Sequence, residues 1–315
     1  MHYLVELAIR IATIYGGITV GFILQRWPNA DKAGKWLTFA GVNIFSPVLL
    51  VVVMLNISEI HAIDWSYILL LSILPCIFSL LLGWAAIRTR TDIPNQEKGA
   101  ELVALTFMNA LFYPFPLIIG VVGTEGLLAA SIFIIAQAIL RNSLGVALSI
   151  HFGSDGGKSV WKVAQEVLLF PPTLGILLGL ILRATVGNIQ TSDIVVLDIF
   201  RDITMFIMLI LVGLSFRFPK RHEWREVALG RGIAARFGGG AIGAIIIALM
   251  PLPLIAKIPL VIQSISPPAM SNIAYARYFH LNDKITSTYI TLLSLVALLF
   301  LPIELAILLW WKSIA

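Results

Sequence analysis

Two stretches carry the fold of this chain: Phe107-Met108-Asn109-Ala110-Leu111-Phe112-Tyr113-Pro114-Phe115-Pro116-Leu117 and Gln263-Ser264-Ile265-Ser266-Pro267-Pro268-Ala269-Met270-Ser271-Asn272. Each lies inside a long apolar segment and places two prolines near its middle. A proline inside a helix removes an amide donor and clashes with the carbonyl four residues back, so backbone polar groups are set free. In a hydrocarbon environment those groups must face protein or a water-filled cavity. Paired interruptions at corresponding places in two halves of a chain point to a transporter's binding site near the bilayer midplane.

The composition around these stretches is that of a membrane protein. Of 315 residues, 59% are hydrophobic and 12% charged, with a mean hydropathy of +0.94. Soluble domains carry about 25% charged residues. The chain could not cover its own exterior in water, which excludes a soluble enzyme and a nucleic-acid-binding domain; the long unbroken apolar runs exclude an outer-membrane barrel. Ten apolar windows are predicted as spans, near 4–24, 36–57, 65–87, 100–121, 125–150, 163–184, 196–216, 230–250, 256–278 and 285–311. The N-terminal Met-His-Tyr-Leu-Val-Glu has no basic region and no small-residue cleavage site, so the first window is expected to remain a span. Cys76 is the single cysteine and lies in an apolar run, which excludes an intrachain disulfide.

The net charge of +5 follows from an excess of Lys and Arg on one side of the membrane. Arg26, Lys32, Lys35, Arg88, Arg90, Lys98, Lys158, Lys162, Arg217, Lys220, Arg221, Arg225, Arg277 and Lys284 fall in alternate loops; the other side holds Arg183, Lys257 and Lys312. The positive-inside rule then puts both termini outside the cytoplasm. Residues 1–152 and 163–315 are expected to form two five-helix units of opposite orientation, joined by a cytoplasmic connection at 153–162. Gly17-x-x-x-Gly21 before Phe22-Ile23-Leu24 and Gly175-x-x-x-Gly179 before Leu180-Ile181-Leu182 recur at one offset, which also carries Glu125 onto Asp283. Such glycine pairs let helix backbones approach closely.

The half-helix ends at the two breaks offer positive dipole ends and amides suited to a carboxylate. Asn109 and Asn272 can orient a small anion there without burial of a charge. Further along the chain, Asn43-x-x-x-Pro47, the run from Asn109 to Pro116, Gln137-Ala-Ile-Leu-Arg-Asn142, and Pro267 with Ala276-Arg277 and Asp283 stand in an order and spacing that resembles the auxin efflux carrier family. That family includes the plant PIN-FORMED auxin exporters and many prokaryotic permeases. The likeness covers nearly the whole chain. It implies an all-α polytopic fold of ten transmembrane helices as two inverted five-helix repeats, with helices 4 and 9 broken and crossing at their prolines. Helices 1, 2, 6 and 7 would form a scaffold, often dimeric, and helices 3–5 and 8–10 a transport domain that moves like an elevator.

By the same resemblance the pocket lies at the crossing, among Asn43, Ser46, Asn109, Gln137 and Asn142. Pro114, Pro116, Pro267, Pro268, Arg141 and Asn272 join it from the breaks and the polar segment. Pro114 stands where many members have glycine and Asn142 where the plant exporters have tyrosine, and the long loop between their halves is short here. A small carboxylate is therefore the expected substrate. The nearest alternatives are a sodium-coupled bile-acid-type symporter and a non-transporting receptor that kept the fold.

Arg141 is the interior charge with an expected role toward substrate, counter-ion or structure. Glu6 and Arg10 are spaced as a local pair, Asp198, Arg201 and Asp202 as an ion cluster. Arg236 and Glu304 are isolated in sequence and open to pairing in space or to a coupling path for protons or sodium. No histidine falls mid-span. Asn56-Ile-Ser58 is a glycosylation sequon. No Walker loop, HExxH or metal-spaced cysteine set occurs, so no enzyme and no cofactor is expected. The expected partners are a small organic anion, membrane lipid and a second copy of the chain, at the plasma membrane (the inner membrane of a prokaryote).

Overall fold

The computed structural model describes residues 2–56, 64–91, 93–153, 165, 169, 171–186, 195–216, 224 and 227–314. The basic residues Lys158, Lys162, Arg217, Lys220, Arg221 and Arg225, and Ile57 and Ser58 of the sequon, lie outside the described residues. So do most of 163–170 and the side chains of Glu6 and Asn142.

The described elements are almost entirely helical. Helix α1 (His2–Leu24) is followed by α2 (Ala30–Ala40), which runs through a π turn at Gly41–Phe45 into α3 (Ser46–Asn56). Helix α4 (Trp65–Arg88) begins at Asp64, whose Oδ1 accepts hydrogen bonds from the Tyr67 amide at 3.0 Å and the Ser66 hydroxyl at 2.6 Å. The hydrogen bond from Ser66, then that from Tyr67, holds this carboxyl below its usual range.

The fourth apolar segment is two pieces, α5 (Asn95–Thr106) and α6 (Pro114–Val122). A short 3₁₀ turn leads into α7 (Leu127–Leu140), and a second π turn, Arg141–Gly145, joins it to α8 (Val146–Phe152).

Then come α9 (Pro171–Val186) and α10 (Val195–Ser215). Helix α11 (Leu229–Ile233) passes through a third π turn, Ala234–Gly238, into α12 (Gly239–Leu249). The ninth apolar segment is again divided, into α13 (Leu254–Ser264) and α14 (Ser271–Tyr278), before the long α15 (Asp283–Ile314).

Six of these continuous helical stretches are long and apolar enough to cross a membrane. A span needs roughly 20 residues, and the 12 and 9 residues of α5 and α6 cannot cross singly. The protein is a polytopic, all-helical membrane protein. Its lipid-sized apolar exterior includes Ile9, Trp36, Phe39, Leu178, Ile181, Leu299 and Phe300.

Glycine governs how tightly the helices meet. Gly17 and Gly21 of α1 lie on α10: a Cβ at Gly21 would sit 2.1 Å from the Ile210 carbonyl oxygen. Gly175 and Gly179 of α9 lie on α3, where a Cβ at Gly175 would sit 2.6 Å from the Pro47 oxygen. The two glycine pairs thus do what their spacing predicts. Side chains then seal the same pairs. Gln25 Nε2 donates to Gly213 O at 2.9 Å and Phe216 O at 2.6 Å, at the end of α10. Arg183 Nη1 donates to Met54 O and Leu55 O, both at 3.4 Å, at the end of α3. Helix α12 packs on α4 through Gly239 and Gly243, against Ser79 and Pro75.

The charged groups resolve as follows. Arg201 bridges Asp198 at 2.7 Å and Asp202 at 3.0 Å, the cluster expected from their spacing. Arg277 pairs with Asp283 at 2.7 Å, and Arg90 pairs at 2.9 Å with Glu101, which is buried inside α5.

Candidate functional site

The two breaks lie against one another and are joined through their backbones. Met108 and Pro268 form an antiparallel bridge. The Asn109 amide donates to Pro267 O at 2.7 Å, and the Ala269 amide donates to Phe107 O at 2.9 Å. Prolines explain why the chain can do this. Pro267 and Pro268 have no N–H to keep in a helix, and the Pro267 carbonyl is free to accept from across the crossing. Pro114 is the first residue of α6, where a missing N–H is harmless and the fixed φ favours helix initiation. Thus Pro114 starts a half-helix; it does not kink a continuous one.

The asparagines hold this crossing. Asn109 is buried, and its Oδ1 accepts from the amides of Leu111 at 3.2 Å and Phe112 at 3.1 Å, which fixes the turn between α5 and α6. Asn272 is fully buried, and its Nδ2 donates to Phe107 O at 2.9 Å. Its Oδ1 is buried with no hydrogen-bond partner among the described residues. The Asn109 oxygen is therefore committed to the fold, whereas the Asn272 oxygen is an acceptor still open.

The amides expected at the half-helix starts are fewer than the break alone suggests. Two of the first three positions of α6, Pro114 and Pro116, carry no N–H, and the Phe115 amide between them donates to Leu111 O at 3.1 Å. Helix α14 is different. Its first residue, Ser271, is exposed, and its hydroxyl accepts from Arg141 Nη1 at 2.5 Å. Arg141 sits in the π turn of the fifth apolar segment and brings a positive charge to the positive end of a half-helix, where only an anion would be attracted.

Gln137 is buried one layer further in. Its Nε2 donates to Ser72 O at 3.3 Å, and its Oε1 lies 3.1 Å from Cys76 Sγ, which in turn is 3.3 Å from Thr106 O. Ser46 is buried and donates to Gly41 O at 2.8 Å within its own helix. Asn43 is exposed and donates to Phe39 O at 2.8 Å. Among the described residues no hydrogen bond joins Asn43 or Ser46 to the crossing. Their π turn does face it, since a Cβ at Gly41 would come within 3.7 Å of the Phe112 ring.

Three residues at the crossing were not among those expected in the pocket. Gln263 is fully buried and donates to Ala110 O at 2.9 Å and Ala130 O at 3.1 Å, tying α13 to the opposite break and to α7. Tyr113 donates to Glu304 Oε2 at 3.4 Å, which connects the first break to α15. Arg236 reaches the crossing from the third π turn. Gln263 and Tyr113 are written in the two interrupted stretches and could have been marked from their places beside the breaks. Arg236 could not, because it stands in another apolar segment and its partners are backbone carbonyls distant in sequence.

A polytopic membrane protein with two interrupted helices tied together at their breaks has the form of a membrane transporter. The model of the membrane transport protein family matches residues 8–305, and the chain belongs to this family, that of the auxin efflux carriers. The family is one of membrane transport proteins, not of enzymes. An uncharacterized transporter of Methanothermobacter thermautotrophicus is 25% identical over 146 residues, an alignment that covers 46% of this chain and 46% of that relative. The chain is thus aligned to under half the length of this curated relative.

Proposed function

We propose that this protein is a secondary active transporter that moves a small carboxylate by alternating access, with its binding site at the crossing of the two broken helices. The observation that carries the reading is the Arg141–Ser271 contact at the start of α14, beside the backbone-bonded crossing of the two breaks. The guanidinium and the half-helix dipole act on the same anion, and the Ser271 hydroxyl and the side-chain Nδ2 of Asn109 are neutral donors beside the break. Gln137 and Asn142 complete the polar segment by resemblance, and Asn43 and Ser46 form the facing wall.

The proposed architecture is two inverted five-helix repeats, 1–152 and 163–315. Two features support it. Helix α1 packs on α10 as α9 packs on α3, so the first span meets the seventh while the sixth meets the second. The sealing contacts recur at matched places too: Gln25 and Arg183 each follow a glycine pair and each donates to the closing carbonyls of the partner helix. In this reading the first, second, sixth and seventh spans form the scaffold and the dimer contact, the rest move as an elevator, and both termini lie outside the cytoplasm at the plasma membrane.

Thermal stabilisation of the detergent-purified protein against a panel of small carboxylates tests the assignment, because a ligand that binds only the folded state raises its apparent stability. At least one carboxylate is expected to raise the melting temperature. Arg141→Gln is expected to weaken its binding by about tenfold or more, the value of a hydrogen bond to a charged group. A panel without a hit would overturn the carboxylate assignment. An unchanged affinity in Arg141→Gln would remove that residue from the site.

A further inference from the structure

Arg236 is the largest fully buried side chain among the described residues, a charge enclosed in a membrane protein. Such a group is expensive in hydrocarbon and persists only where it faces protein partners. Its partners among the described residues are all uncharged. Nη1 donates to Leu105 O and Thr106 O, both at 3.3 Å, and Nη2 donates to Ser264 O at 2.5 Å. Nη2 also lies 3.9 Å from Met108 Sδ.

These carbonyls are not arbitrary. Leu105 and Thr106 close α5, and Ser264 closes α13. One guanidinium therefore bridges the C-terminal ends of both interrupted helices on the inner side of the crossing. Each such end carries roughly half a negative elementary charge, so two of them match one guanidinium. Unwound carbonyls and half-helix C-termini are also the groups by which broken-helix transporters hold a coupling cation. Gly240 leaves room for the Nη2 end, since a Cβ there would lie 2.3 Å from Ser264 O and 2.8 Å from Nη2, while Nε is buried with no hydrogen-bond partner among the described residues. The π turn Ala234–Gly238 supplies the reach by turning Arg236 out of the regular helical register.

We propose that Arg236 is a built-in cation of the crossing, standing where a coupling metal ion would otherwise neutralise the two half-helix ends, so that this protein assembles its crossing and carries its anion without sodium. The consequence for coupling rests on the transport reading above; the occupancy of the half-helix ends by Arg236 does not. The arginine stays with the protein through the transport cycle, so the net charge moved with each anion includes no co-bound cation at this place.

The test uses the full-length, detergent-purified chain and no carboxylate, so it can fail while the carboxylate assignment stands, and the reverse. Melting temperatures are compared in chloride salts of sodium, lithium, potassium and N-methylglucamine at equal ionic strength. Wild-type protein is expected to melt at one temperature in all four. Arg236→Ala is expected to lose about 5–15 °C in N-methylglucamine, as for a buried charged group deleted from its partners, and to regain part of it in sodium or in low methylguanidinium. A sodium-specific rise in the wild type would overturn the proposal, as would an Arg236→Ala protein whose loss no small cation restores. Should Arg236→Ala give no folded protein, Arg236→Lys, which keeps the charge, is expected to fold where Arg236→Met does not; equal yields of those two variants would also overturn it.

Discussion

Replacing Gly21 with valine is expected to abolish folded, monodisperse protein. The position faces backbone, not a side chain that can turn aside: the first added carbon would lie 2.1 Å from the Ile210 oxygen and 3.0 Å from Gly213 Cα. Overpacking of a well-packed contact costs about 1–3 kcal/mol when side chains can adjust, and here α1 must move away from α10 as a whole. Gln25 would then lose its hold on Gly213 O and Phe216 O, so two sets of contacts fail together. Size-exclusion profiles and thermal melts of the purified variant check this. Gly16→Ala is the control, because no atom beyond its own helical turn lies within 4 Å of a Cβ there; it is expected to yield as well as the wild type. A Gly21→Val protein that purifies and melts normally would refute the glycine-mediated contact.

The second large effect is expected from Asn272→Asp. The side chain keeps its shape but loses the Nδ2 donor, so Phe107 O keeps only the Ala269 amide. A carboxylate oxygen is then placed beside that carbonyl oxygen in a fully buried position. Leaving a buried acceptor without its donor costs about 1–3 kcal/mol, and more where a charge is involved. The melting temperature is expected to fall, and uptake into proteoliposomes of a carboxylate that stabilises the wild type is expected to drop more than tenfold. Asn109→Ala should behave more mildly in stability, since it releases two loop amides at the edge of the break. Normal uptake by Asn272→Asp would mean that the bond across the crossing is not needed for transport.

Much of the helical framework was legible in the residues themselves. The predicted windows match the described helices closely: 65–87 is Trp65–Arg88, 230–250 is Leu229–Leu249, and 285–311 lies within Asp283–Ile314. Apolar runs of this length have one solution in lipid, a helix that satisfies its own backbone. Both breaks were legible for the same reason, because proline removes a donor wherever it stands. The roles at the crossing were less so. Asn109 reads as a ligand-facing residue, yet its oxygen is spent on the amides of Leu111 and Phe112, and Asn43 turns back onto Phe39 O. Asparagine can serve a ligand or a turn equally well, and sequence does not show which carbonyls and amides lie near it.

The sequence by itself determined the solvent, the helices, the places where two of them break and the glycine faces on which they pack, because each follows from local composition and backbone chemistry. The tertiary structure alone decided which groups meet at the breaks. Leu105, Thr106 and Ser264 end two helices from opposite halves of the chain, and Arg236 reaches all three through a π turn that no periodicity announces. A buried charge has to find its partners in space, and carbonyls are borne by every residue, so side-chain identity gives no sign of which ones it will meet.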